Sequence, residues 1–188
     1  YIDINDIISL YKPKSICMDC FEEFKITNKE RIEKFMKKNN FTSYTKNLNT
    51  IFSQWYKIKH VFSLYYEYSK KNNIKYDFII KLRFDVIFNP INLNSLIKND
   101  VYFLKYWGKD VNLFGLQDFI FLSRDENYML IVCNLYNFIC NDNINFNHKK
   151  YILPQQGLTG PISELILADY VFENKITYSV LNLHSILI

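Results

Sequence analysis

Apolar residues recur at two different periods along this chain, and the alternation between them predicts a mixed α/β fold. Between Thr50 and Asn72, the residues Ile51, Trp55, Ile58, Phe62, Tyr65 and Tyr66 return every three or four positions, with Lys57, Lys59, Lys70 and Lys71 on the other face. That spacing puts one apolar stripe on a long helix. Asn72-Asn73 supplies residues able to close it in the left-handed conformation. Asn28 to Lys38 predicts a shorter charged helix with Asn28 as N-cap, and the polar run 39–49 reads as a loop. Tyr1 to Leu10 is expected to be a short strand or helix, interrupted at Pro13, and Ser15 to Asp19 suits a short strand. Asp125 to Cys140 and Ser163 to Asn174 predict two more helices, the second with Ser163 as its cap. Strands are expected over Tyr76 to Phe88, where Asn89-Pro90 stops the ladder, over Val101 to Tyr106, Phe119 to Ser123, and Lys175 to Leu183. The pattern predicts one domain over residues 1–188, with a mostly parallel sheet flanked by helices.

The strand Tyr76 to Phe88 contradicts itself. Phe78-Ile79-Ile80 and Val86-Ile87-Phe88 read as a run buried on both faces, yet Lys81, Arg83 and Asp85 lie between them. Alternation puts all three on one face. Charges there are expensive unless they are paired, hydrogen-bonded or used by a ligand. Ligands of α/β sheets bind beyond the carboxyl ends of the strands. A cation and a carboxylate at such a place suit a nucleotide diphosphate and its divalent metal. A structural Arg83–Asp85 pair is the competing reading.

Composition narrows this only a little. The chain has 188 residues, of which 49% are hydrophobic and 18% aromatic, and this excludes global disorder. It holds 20 Lys against 3 Arg, 22 Asn and one Ala. That usage matches an AT-rich genome, so the net charge of +4 need not report an anionic partner. No run approaches the roughly 20 apolar residues of a membrane span, and a cytoplasmic protein is expected (host cytoplasm if viral). The chain starts at Tyr1 and ends within an apolar run at Ile188, so both ends read as cuts. Cys17-Met18-Asp19-Cys20 has CxxC spacing without a second pair to complete a zinc site, and Cys133 and Cys140 fit helix packing. His60 and His148 have no evident partners.

Five segments, taken in order, resemble one family. They are Leu10-Tyr11-Lys12-Pro13-Lys14-Ser15-Ile16; Ser53-Gln54-Trp55-Tyr56-Lys57-Ile58; Lys75 to Asp85; and Gly115-Leu116-Gln117-Asp118-Phe119-Ile120-Phe121, followed by Pro161-Ile162-Ser163-Glu164. The set is similar to glycosyltransferases of giant viruses and bacteria, which carry a "YD-x-[VI]-[VI]-x-x-R-x-D" strand, a "DQF" segment and a "PE" helix start. Here Ser123-Arg124 replaces the glycine that follows the "DQF" strand, and two residues separate Pro161 from Glu164.

The resemblance implies a GT-A-like (Rossmann-like) fold, with the family's N-terminal nucleotide-binding strand missing from this chain. It implies transfer of a sugar from a nucleotide-diphospho-sugar donor to a glycan or protein acceptor, with a divalent metal (Mn or Mg) as cofactor. Asp85 matches the metal-binding aspartate, Arg83 and Lys81 the donor phosphate side, and Asp118 and Glu164 the catalytic carboxylates. Asp118 is the first choice as base or acceptor binder and Glu164 the second; the bland alternatives are a turn cap and a helix-dipole partner. Gln54, Trp55, Tyr56 and Trp107 are candidate sugar or acceptor contacts, although aromatics at helical spacing are more often core. His184 is a candidate third metal ligand, against ordinary packing. Two other classes stay open: an inactive transferase scaffold, and a basic aromatic nucleic-acid-binding module. No RNP-like or helix-turn-helix signature supports the latter, so no nucleic-acid partner is expected.

Overall fold

The structure, a computed structural model, describes residues 4–18, 20–38, 45–83, 86–96, 101–104, 116–141, 152–153, 158–159, 163–181 and 185–187. Its first helix, α1, spans Ile4–Tyr11 and settles the strand-or-helix alternative at the start. No strand forms over residues 15–18, which are exposed, irregular chain. With no buried face, alternation there has nothing to pack on.

The second helix, α2, spans Phe21–Lys38 and begins seven residues before the expected N-cap. Phe24, Asn28, Ile32 and Phe35 form its buried stripe, so Asn28 is an interior residue. Its Nδ2 donates to the Phe24 carbonyl at 3.0 Å, while its Oδ1 accepts from Arg31 at 3.0 Å and from the Tyr136 hydroxyl at 2.8 Å. The polar Asn was read as a cap because Tyr136, the partner that ties it to the core, lies 108 residues away.

The long helix α3, Thr45–Lys71, also starts earlier than expected, inside the stretch read as loop. Leu48, fully buried, extends the stripe of Ile51, Phe52, Trp55, Ile58 and Phe62 by one turn. Its end is as predicted. Asn73 takes φ 51, the Ile74 amide donates to the Ser69 carbonyl at 2.9 Å, and the Asn73 amide donates to that of Lys70 at 3.2 Å. Those are the two bonds of a Schellman closure.

The helix expected over Asp125 to Cys140 divides at Asn134 into α4, Glu126–Cys133, and α5, Leu135–Ile139. Asp125 caps α4, accepting from the amides of Asn127 and Tyr128. Helix α6, Ser163–Glu173, is buried on most sides and carries the lone alanine, Ala168, where close packing leaves little room.

Four strands make the main sheet: β1 Ile79–Leu82, β3 Val101–Leu104, β4 Ile120–Ser123 and β7 Tyr178–Leu181, in the order β1-β4-β3-β7. Strand β1 pairs antiparallel with β4, β4 antiparallel with β3, and β3 parallel with β7. The fold is thus mixed α/β, but among the described strands the expectation of a mostly parallel sheet is corrected. A parallel neighbour needs a crossover element, and of these strands β7, reached through α6, is the one that pairs in parallel.

The single strand expected from Tyr76 to Phe88 is divided as well. Its second part, β2 Val86–Phe88, leaves the main sheet and pairs antiparallel with β8, Ser185–Leu187. A small ladder joins β5, Ile152–Leu153, to β6, Leu158–Thr159. Strand β1 sits at the edge of the described sheet, and Ile80 and Leu82 are each 43% exposed. This corrects the reading of a run buried on both faces.

Alternation sorts the sheet's two faces. Val101, Phe103, Phe121 and Ile79 pack with α3, α4, α5 and α6 in the main core. Tyr102, Leu104, Ile120 and Leu122 pack on Leu96, Phe78, Ile91 and Leu93 on the other side. By register, the carboxyl ends of β1, β3 and β7 and the start of β4 all lie at one end of the sheet.

Candidate active site

Asp118, in the turn that enters β4, lies at that end and is 2% exposed. A carboxylate so deep must be satisfied by donors. Its Oδ2 accepts from Gln54 Nε2 of α3 and, at 2.8 Å, from the hydroxyl of Ser163 at the start of α6. The Ser163 oxygen in turn accepts the Trp55 indole N–H at 3.0 Å. Three elements are tied through one carboxylate. Ser163, expected as a helix cap, instead relays between Trp55 and Asp118, a role its place beside Glu164 in the sequence did not signal.

The next residue, Glu164, is partly buried. Burial, and then the neighbouring negative charge of Asp118, push its carboxyl up to about 7, against the weaker opposing pull of Arg83. Two close carboxyls cannot both ionise cheaply, so Glu164 gains and loses its proton near neutrality. Its backbone carbonyl accepts the Leu116 amide at 3.0 Å, which pins the start of α6 to the segment leading into Asp118.

Lys81 and Arg83 approach from β1. Lys81 pairs in register with Phe121, its ammonium lying 5.6 Å from that ring's centre. It donates to the backbone carbonyl of Asp118 and, at 3.3 Å, to that of Phe119. Much of its donor capacity therefore holds the turn that presents Asp118. Arg83 lies just past the strand, its guanidinium 4.6 Å from the Phe119 ring centre.

The residues singled out from sequence therefore divide into three groups. Asp118, Glu164, Lys81, Arg83 and Gln54 come together. Trp55 reaches the same cluster through its N–H, but its ring is fully buried and stacked 6.4 Å from Phe121. A ring with no exposure cannot receive a sugar, which corrects its candidacy as a sugar contact. Tyr56 points elsewhere, packing on Phe24 at 5.1 Å and Tyr136 at 5.3 Å towards α2 and α5. Asp85, Trp107, His148 and His184 lie outside the described residues.

Gln117 is a residue the pattern did not single out. It is 1% exposed, and its Oε1 has no hydrogen-bond partner among the described residues. His60, assigned no partner from sequence, has Nδ1 3.9 Å from the exposed Cys17 Sγ. Buried Cys133 has its thiol pushed up by desolvation, as expected of packing.

Among the described residues no three His, Cys, Asp or Glu side chains cluster as metal ligands. Asp118 and Glu164 supply two carboxyls, one already engaged by Gln54 and Ser163. That set alone does not fit a divalent metal.

No protein-family model matches this chain, and no curated protein or solved structure matches it significantly.

Proposed function

We propose that this chain is a glycosyltransferase domain of GT-A-like architecture, moving a sugar from a nucleotide-diphospho-sugar to a glycan or protein acceptor. One observation carries the reading: Glu164, held near neutrality beside buried Asp118 and facing Arg83, at the sheet end where α/β folds bind ligands. A carboxyl titrating at about 7 is matched to general-base work at physiological pH. The family resemblance in the strand bearing Lys81 and Arg83 points the same way.

In this reading Glu164 is the base and Asp118 the fixed charge that sets its affinity for protons, which reverses the order of preference drawn from sequence. Glu164 accepts the proton of the acceptor hydroxyl as that oxygen bonds to the anomeric carbon. The bond from that carbon to the donor phosphate breaks, and its electron pair leaves with the diphosphate. Arg83 is the cation placed to stabilise that charge. Lys81 acts mainly by holding the Asp118 turn. Asp85 keeps the metal-ligand role that the resemblance implies. The donor is the small-molecule partner, with work in the cytoplasm as the setting.

A second reading has a specific observation behind it. Asp118 is almost wholly enclosed and its Oδ2 is engaged by two side chains, as in a catalytically inactive scaffold that keeps a transferase fold. The two readings separate on hydrolysis of a panel of sugar nucleotides with Mn or Mg, comparing the unaltered protein with Asp85→Asn and Glu164→Gln. A transferase hydrolyses at least one donor and loses that activity in both variants. Rates equal in all three proteins contradict it.

A further inference from the structure

The other end of the β1–β4 ladder, where Ile79 pairs with Ser123, borders a cleft of about 460 Å³. It lies three strand residues from the Asp118 end, about 10 Å at the strand rise. Its lining carries three cations, Lys70, Lys75 and Arg124, and two carboxylates, Asp125 and Glu126. Both carboxylates are already engaged by the protein. Asp125 accepts from the Asn127 and Tyr128 amides at 2.7 and 3.3 Å. Glu126 accepts the Tyr65 hydroxyl at 3.1 Å and pairs with Lys70 at 3.6 Å.

Lys75 and Arg124 have no carboxylate partner among the described residues. Arg124 instead lies 4.3 Å from the Phe78 ring centre and donates to the Leu93 carbonyl at 3.4 Å. The charge left over in the cleft is positive. Burial pushes the Tyr65 phenol up to about 12, so it stays a neutral donor and adds no negative charge. Tyr76 packs beside Tyr65 at 5.7 Å between ring centres yet remains 39% exposed, leaving aromatic surface open to the cleft.

We propose that this cleft is a second binding site, distinct from the Asp118–Glu164 cluster, for a ligand that joins a ring to a phosphate. The phosphate is drawn by the cleft's net positive charge, three cations against two carboxylates, with Lys75 its exposed contributor, and the ring lies on Tyr76. Nucleotides and sugar phosphates share that chemistry.

The test is amide NMR titration of the chain with adenosine monophosphate and with glucose 1-phosphate, alongside adenosine, glucose and inorganic phosphate. At least one ring-bearing phosphate should shift the amides of Lys75, Tyr76 and Asn127. Its affinity should fall about tenfold in Lys75→Glu and in Tyr76→Ala, and fall again with added salt. Glu164→Gln should leave that binding unchanged, so failure here is separate from failure of the transferase reading. A preference between the two phosphates assigns the source. Absence of binding by both, shifts confined to the Asp118 end, affinities indifferent to both cleft variants, or inorganic phosphate binding as tightly as either would overturn the proposal.

Discussion

At the Leu82–Ile120 end of the β1–β4 ladder, polar side chains are spent on one another. Trp55 donates to Ser163, Ser163 and Gln54 donate to Asp118, and Lys81 holds the carbonyls of the turn. At the Ile79–Ser123 end, three cations outnumber two carboxylates, and Tyr76 keeps an exposed face. The first arrangement fixes positions and shifts a proton affinity. The second leaves charge available to a visitor. Burial makes the difference: enclosed polar groups must find protein partners, whereas groups beside open water need not.

Substitutions at the enclosed end should therefore cost far more than those at the open end. Asp118→Ala leaves the Gln54 and Ser163 donors without their acceptor and should lower stability by about 1 to 3 kcal/mol for each donor left unpaired, read from urea midpoints. A loss near zero would mean the network is not formed in solution.

Glu164 sharpens the contrast through pH. Its folded-state affinity, about 7, lies above the ordinary 4.5, so the folded protein holds this proton more tightly than the unfolded chain. The stabilisation is complete below 4.5 and is lost as pH rises to about 7, a fall of about 3 kcal/mol. Chemical denaturation at pH 5 and pH 8 should show most of this fall, about 2.5 kcal/mol, in the unaltered protein, and Glu164→Gln should lack it. Equal pH dependence in both proteins breaks the claim that Asp118 and burial raise this carboxyl.

Near the open end the effects shrink. Asn73→Val puts a β-branched residue at φ 51 and should cost about 1 kcal/mol in thermal unfolding. Lys75→Ala should change stability by less than about 0.5 kcal/mol. A large loss there would show that Lys75 is bound into the fold rather than available to a ligand.

Much of this contrast could be read from the sequence, and the unread parts share a cause. The stripe of α3, its Asn closure and the strands β3, β4 and β7 follow from local periodicity. Lys81 and Arg83 stood out as charges in an apolar run, and Asp118 and Glu164 through segments read as resembling a glycosyltransferase family. What stayed hidden depends on distant partners. Asn28 looked like a cap because Tyr136 was out of view, and Ser163 looked like a cap because Trp55 and Asp118 were. Trp55 looked available because its N–H partner lies over 100 residues on. The edge position of β1 in the described sheet and the turning away of β2 rest on pairings with β4 and β8, which no local pattern encodes.

The central claim is that Glu164 works as a base near neutrality in sugar transfer. The direct measurement is the rate of sugar-nucleotide hydrolysis from pH 5.5 to 8.5, for the unaltered protein and Glu164→Gln. The rate should rise with pH to a plateau with a midpoint near 7. In the variant it should be flat and at least about 100-fold lower. Matching profiles in the two proteins, or no turnover of any donor by the unaltered protein, would contradict the account.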